Sequence, residues 1–293
     1  MAITHIDHVL IAVRDLDEAA DLYRRLGFFI TAGGEHPGRG TANRLAVLDP
    51  EYLELIAVRD PAAAWPALVD HLDRFGPGLF TFALASDDLE ADLAAFRGRM
   101  DEGITPLRPE EPWDGELVTP GGRRRTWRAF RVAGGRAVNP FLIQHDSDGE
   151  EKRRKLAGDS DLLPHPLQYG AINRLAFAFP TLEEGVAYFR GGYGLEPEGG
   201  PSVCPSRQAD RIFFPLKRGL IEVIAPRSAD SPVASFVAER GYGVHSIAIT
   251  VPDTAAAADQ LEVGGVAVNR LPSGTVQVDP AHTLGVRLSL VKG

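Results

Sequence analysis

Cysteine is nearly absent from this chain: Cys204 stands alone among 293 residues. No intramolecular disulfide can form and no thiolate cluster can hold zinc. Its flanks, SVCPS, read as a loop with no histidine nearby in sequence, so the thiol is expected to be a bystander. Long apolar runs are missing as well. Nowhere do about 18 apolar residues follow one another, and MAITHIDHVL has no basic stretch leading into an apolar core. Neither a membrane span nor a secretory leader is expected, and the cytoplasm is the expected location. Positive charge is in deficit, with 31 Lys and Arg against 40 Asp and Glu and a formal net charge of -9. That balance gives no electrostatic reason to approach nucleic acid or an anionic membrane. The G-x-S-x-G elbow of serine hydrolases and the H-E-x-x-H helix of zincins are absent. The glycine-rich GGEHPGRGTANR lacks the G-x-x-x-x-G-K-[ST] spacing and does not lead from a strand into a helix, so it reads as a flexible lip and not as a phosphate loop.

What is present is ordinary for a globular protein, at 44% hydrophobic and 24% charged residues, and it repeats. IDHVLIAVRDLDEAADLY from Ile6 aligns with LFTFALASDDLEADLAAF from Leu79, INRLAFAFPTLEEGVAYF from Ile172 and VHSIAITVPDTAAAADQL from Val244. In each, strand-like alternation gives way through a short turn to helical spacing. The starting positions fall 73 residues apart in the first pair and 72 in the second, with 166 between the first and third. Each copy is followed by further strand-like segments, such as RLAVL and YLELIAV in the first. The reading is α+β: four βαβββ modules in two tandem pairs, mixed sheets curled into cups with helices outside. The pairs span residues 1–146 (modules about 4–60 and 78–146) and 170–293 (modules about 170–227 and 241–293). Residues 147–169, charged and then proline-containing, read as a surface linker.

Carried by IDHVLIAVRDLDEAADLYRRLGF and YLELIAV, the pattern resembles the vicinal oxygen chelate superfamily, which includes glyoxalases and extradiol dioxygenases. HPGRGTANRL resembles that of its glyoxalase-like domain proteins. The resemblance implies paired modules curled around a divalent metal, a ligand histidine seven residues before the aspartate that opens the first helix, and a ligand glutamate in the module's last strand. Here those positions are His8, before Asp15, and Glu54 in YLELIAV. An imidazole and a carboxylate suit Zn, Ni, Mn, Co or ferrous iron and leave positions open for water or substrate. Glu54 is also the expected catalytic group, able to ligate and to shuttle a proton. The implied activity is that of a lyase, isomerase or dioxygenase on a small oxygen-chelating substrate. The alternative is a metal-free binding protein of the bleomycin-resistance type.

The later modules depart from the pattern. Thr81 and Phe141 stand at the ligand positions of the second, Arg174 and Glu222 at those of the third, and Ser246 and Arg287 at those of the fourth. His145, four residues after Phe141, shares its face and is the candidate third ligand. Glu222 would join only if the first and third modules shared a cup. Asn43, Arg44, Arg174 and Glu222 are candidate substrate contacts. His245 lies one residue off a ligand position and is expected to face away. His36, His71, His165 and His282 are expected to face solvent, and GGRRRTWRAFRV is expected to be a solvated edge, the alternative being recognition of an anionic substrate such as a carboxylate or phosphate. The expected partners are a small-molecule substrate or ligand and, left open, a second copy in a homodimer.

Overall fold

The computed structural model describes residues 2–48, 50–135 and 138–293. The four repeats become four modules of strand, helix and three strands. The first comprises β1 (Ile3–Val13), α1 (Leu16–Arg25), β2 (Gly34–His36), β3 (Thr41–Val47) and β4 (Tyr52–Val58), and α2 (Pro66–Phe75) joins it to the second. The second comprises β5 (Gly78–Ser86), α3 (Leu89–Asp101), β7 (Trp113–Val118), β8 (Arg124–Phe130) and β10 (Phe141–His145), with a small ribbon of β6 (Arg108–Pro109) and β9 (Val132–Ala133). After α4 (Gly149–Ala157) come β11 (Ile172–Ala178), α5 (Leu182–Ala187), β12 (Glu198–Cys204), β13 (Ala209–Pro215) and β14 (Leu220–Pro226). The last module follows α6 (Pro232–Arg240), with β15 (Gly243–Val251), α7 (Thr254–Val263), β16 (Val268–Arg270), β17 (Val276–Val278) and β18 (Leu288–Lys292).

Modules one and two close into a barrel of order β1-β4-β3-β2-β7-β8-β10-β5, and modules three and four form an open eight-stranded sheet. Module openings repeat because their caps do: Asp15, Asp88, Thr181 and Asp253 each accept backbone N–H groups in the first turn of their helix. Alternation along β1 sorts its two faces. Val9, Ile11 and Val13 pack outward into a core with α1 that runs continuously into the second half, while Leu10 and Ala12 face the barrel interior.

Two features add to the sequence reading. The helix that joins the first two modules, α2, caps one end of the barrel, its Leu68 and Leu72 packing with Leu10, Ala12 and Phe80. The stretch 147–169 holds α4, whose Leu156 joins Leu45, Val47 and Tyr52 at another part of the interior. Its charged composition hid this because only Leu156, Ala157 and the stem of Lys152, itself buried, make the inward face. Farther along, the Tyr169 ring stacks on Phe28 at 3.9 Å and its hydroxyl donates to Leu26 O.

Candidate active site

The cup interior is built by period two on adjacent strands. His8 lies opposite Tyr52, and Leu10 opposite Glu54, in the parallel β1–β4 pair. Between Ile6 and His8 the pairing to β5 shifts by one residue, leaving Asp7 extra in a bulge. The bulge buries the Asp7 carboxylate completely beside the His8 ring.

Asp7 is a hub. Its Oδ1 accepts from His8 Nδ1 at 2.7 Å and from His145 Nε2 at 3.1 Å, and its Oδ2 accepts from Lys152 Nζ at 2.5 Å. Burial would push this carboxyl up, but His145, Lys152 and the His8 bond hold it well below the usual range. With Nδ1 so engaged, His8 turns Nε2 toward Glu54 Oε2 at 3.3 Å, and Tyr52 stacks on its ring at 4.4 Å. Burial opposes charge on His8, yet hydrogen bonds to Asp7 and Glu54 raise its pKa above the ordinary value. Glu54, against its own burial, is held down to about 2 by His8, His36 and Asn43. Asn43 Nδ2 donates to Glu54 Oε1 at 2.6 Å, and His36 Nε2 lies 3.8 Å from the same oxygen. Burial above all holds His36 down to about 4, so the ring is neutral at physiological pH.

These groups open on a cavity of about 220 Å³ lined by His8, His36, Glu54, Tyr52 and Arg125 with an aromatic wall of Trp65, Trp113 and Trp127. Trp127 can lie inward because Gly115 stands opposite, where a Cβ would come within 2.2 Å of its indole.

The expected site residues are thus sorted. His8, Glu54 and Asn43 converge. Arg44 does not, because it alternates with Asn43 on β3 and points out to Asp17 of α1. His145 shares the Phe141 face, but Asp7 holds its Nε2 and the ring does not reach the cavity lining. Thr81 donates to Asn139 O, and Phe141 packs its ring edge on His8. Arg174 and Glu222 lie in the other sheet. There the fully buried Glu222 carboxylate meets Arg174 Nε at 3.1 Å, Arg207 Nη1 at 2.8 Å and Arg211 Nη1 at 3.4 Å. Because modules one and three do not share a cup, Glu222 is no ligand for the first. His245 is the extra residue of a second bulge, opposite Ala176 and Phe177, and is buried against Phe236 instead of facing away.

Four residues that sequence reasoning missed or sent to solvent belong to the site. His36 and Arg125 are 8% and 4% exposed, and Asp7 and Lys152 are buried. For Arg125 a signal existed: Arg125, Trp127 and Ala129 alternate with exposed Arg124, Thr126 and Arg128 along β8. His71 is also buried, on α2 against Phe75 and Phe80. His165 is half-buried, bonded to Phe29 N and Val47 O, and His282 is half-exposed.

Comparison with known proteins agrees with this architecture. Residues 6–178 match the profile of a family described as a glyoxalase-like domain. The chain belongs to that family. In this glyoxalase-like protein a second profile, that of the glyoxalase/bleomycin resistance protein/dioxygenase superfamily, matches residues 173–279. An ethylmalonyl-CoA/methylmalonyl-CoA epimerase from Cereibacter sphaeroides is 35% identical over 100 residues, 34% of this chain and 74% of that protein. The mitochondrial methylmalonyl-CoA epimerase of Bos taurus is 31% identical over 83 residues, and the match spans 47% of its length. A crystal structure of a hypothetical protein from Staphylococcus aureus shares the fold along the whole chain, with TM-score 0.67, 12% identity and coverage of 98% and 99%.

The donor chemistry of the glyoxalase-like cup can be tested against a metal ion. Among the described residues no group of three or more His, Cys, Asp or Glu side chains is gathered to hold one by itself. What the cup offers is a two-residue set, His8 Nε2 and Glu54, with the buried Asn43 Oδ1 beside it lacking any hydrogen-bond partner. An imidazole whose other nitrogen is bonded to a carboxylate, next to an ionised glutamate, fits a divalent ion that keeps positions for water and substrate. Among the described residues no helix is long and apolar enough to cross a membrane.

Proposed function

We propose that this protein is a metal-dependent enzyme of the isomerase kind, moving a proton on a small substrate that presents two neighbouring oxygens to the ion. The observation that carries the reading is the His8–Glu54 pair at 3.3 Å, aimed into a cavity and fixed from behind by Asp7. The epimerase names of the two relatives favour isomerisation over the lyase and dioxygenase chemistries that such a site also accommodates. A bound Zn, Ni, Mn, Co or ferrous ion would supply Lewis acidity to the substrate oxygens.

The chain's own groups divide the remaining work. His8 and Glu54 are the ligands. Asp7 fixes the His8 ring so that Nε2 and not Nδ1 faces the cavity, and the ligand role of Nε2 requires that it give up its proton. Glu54 has Oε1 bonded to Asn43 and Oε2 turned to His8, so both of its oxygens are engaged. We assign the proton transfer to His36 Nε2, which is neutral, lines the cavity and has its Nδ1 bonded to Thr41 Oγ1 at 2.8 Å.

Metal content by inductively coupled plasma mass spectrometry, after separate loading with Mn, Fe, Co, Ni and Zn, tests the reading. About one ion per chain is expected in the wild type and in His36→Gln, with loss in His8→Ala and Glu54→Gln. No uptake by the wild type would overturn it. In that outcome the metal-free binding protein takes its place, and its specific support is that Thr81 and Phe141 of the second module are committed to Asn139 O and to the His8 ring.

A further inference from the structure

Arg125 is the buried charge that the proposed reaction does not use. Its side chain reaches the cavity from β8 and is 4% exposed, and its Nε and Nη1 are buried without a hydrogen-bond partner. Among the described residues no carboxylate pairs with it. Its guanidinium sits 5.5 Å from the Trp127 ring centroid and 5.7 Å from that of Tyr52, contacts that leave its N–H groups unsatisfied. A buried guanidinium without an anion is costly to keep, because burial removes its water without replacing the hydrogen bonds. Two further cations line the same cavity. Arg131 lies 4.3 Å over the Trp65 ring and Arg39 3.9 Å over that of Trp113, so the indoles are held as flat walls. With His8 and His36 left out, three arginines face one carboxylate, Glu54, and Glu54 is already bonded to His8 and Asn43. The space, about 220 Å³ or about seven water volumes, suits a compact molecule.

We propose that the ligand of this cavity is a small planar organic carboxylate, its carboxylate paired with Arg125 and its body lying against the tryptophan walls. The inference deepens the reading above, since it takes the same cavity as the active site. A guanidinium offers a fork of N–H donors that matches a carboxylate, and a flat, unsaturated body is what indole faces accommodate best. An ion held by His8 and Glu54 would then meet the opposite end of the molecule, so one charge orients it and a different group reacts.

The chain's three tryptophans all line this cavity, so intrinsic fluorescence reports on it directly. The test titrates benzoate and its neutral isostere benzamide into protein kept in EDTA. Benzoate is expected to bind at least tenfold more tightly than benzamide to the wild type. Arg125→Gln is expected to abolish the difference, and Arg125→Lys to restore part of it. Equal affinities in the wild type, or a preference that survives Arg125→Gln, would overturn the proposal. Where Arg125→Gln does not fold, the wild-type ratio decides alone. Because the titration is metal-free, a benzoate preference in protein that takes up no metal sinks only the metal-dependent reading. Metal uptake without that preference sinks only the carboxylate.

Discussion

Replacing Lys152 by methionine isolates one buried charge. Lys152 Nζ lies 2.5 Å from the Asp7 carboxylate, and the residues are 6% and 0% exposed. Methionine preserves most of the stem that α4 packs inward but leaves Asp7 with two imidazoles and no fixed cation. Removing one partner of a buried pair costs about 3–5 kcal/mol, because the other charge stays behind without compensation. An unfolding entropy on the order of 0.6 kcal/mol/K for a chain of this length turns that into a fall in Tm of about 5–8 °C. Calorimetry at pH 7 measures it. The double variant Asp7→Asn/Lys152→Met, with both charges gone, is expected to be more stable than the sum of the single losses by at least about 1 kcal/mol. A fall under about 2 °C in Lys152→Met, or strictly additive losses, would refute the claim that the pair is buried and coupled.

Two further outcomes follow from groups away from the cup floor. His71 is held down to about 4 by burial and by Arg240, so the folded protein resists taking the proton that the unfolded chain takes near 6.5. Its contribution is complete above 6.5 and is lost as the pH falls toward 4. His71→Phe should match the wild type at pH 7.5 and exceed it by about 1–2 kcal/mol at pH 5 in urea melts, and parallel stability curves would contradict this. Asn139 joins the halves, donating to Val132 O and Gly134 O while accepting from Tyr188 and Tyr242 hydroxyls at 2.8 and 3.2 Å. Asn139→Leu should lower stability by about 2–4 kcal/mol and split a single calorimetric transition in two. An unsplit transition at the wild-type temperature would show that the apolar core alone couples the halves.

The architecture was legible because it is written four times, and each copy carries its own caps and turn. His8 and Glu54 were legible through the family resemblance, which implies ligands at those two positions of the first module. The neighbours that make them a site were not. Asp7 enters through a bulge, and a one-residue shift in pairing leaves no mark in a single strand's alternation. His36 looked exposed because its hairpin is rich in glycine and proline, although β2 pairs with both β3 and β7 and seals it inside. Arg125 was read only as one of a run, solvated edge or anion contact as a whole, when alternate members of that run face opposite ways. Lys152 comes from a segment with no apolar period, and only the closed barrel shows where its stem lies.

The helix that supplies Lys152 also changes where the barrel half ends. The barrel strands end at His145, yet the cation that balances Asp7 and the ring that stacks on Phe28 are encoded beyond it, at Lys152 and Tyr169. A gene cut at the end of the last barrel strand would yield a vessel without its stopper, with water admitted to the carboxylate that aims His8. Grafting this chemistry onto another duplicated scaffold would therefore mean moving the barrel together with the two dozen residues that follow it, which behave as part of the site and not as the tether between the halves.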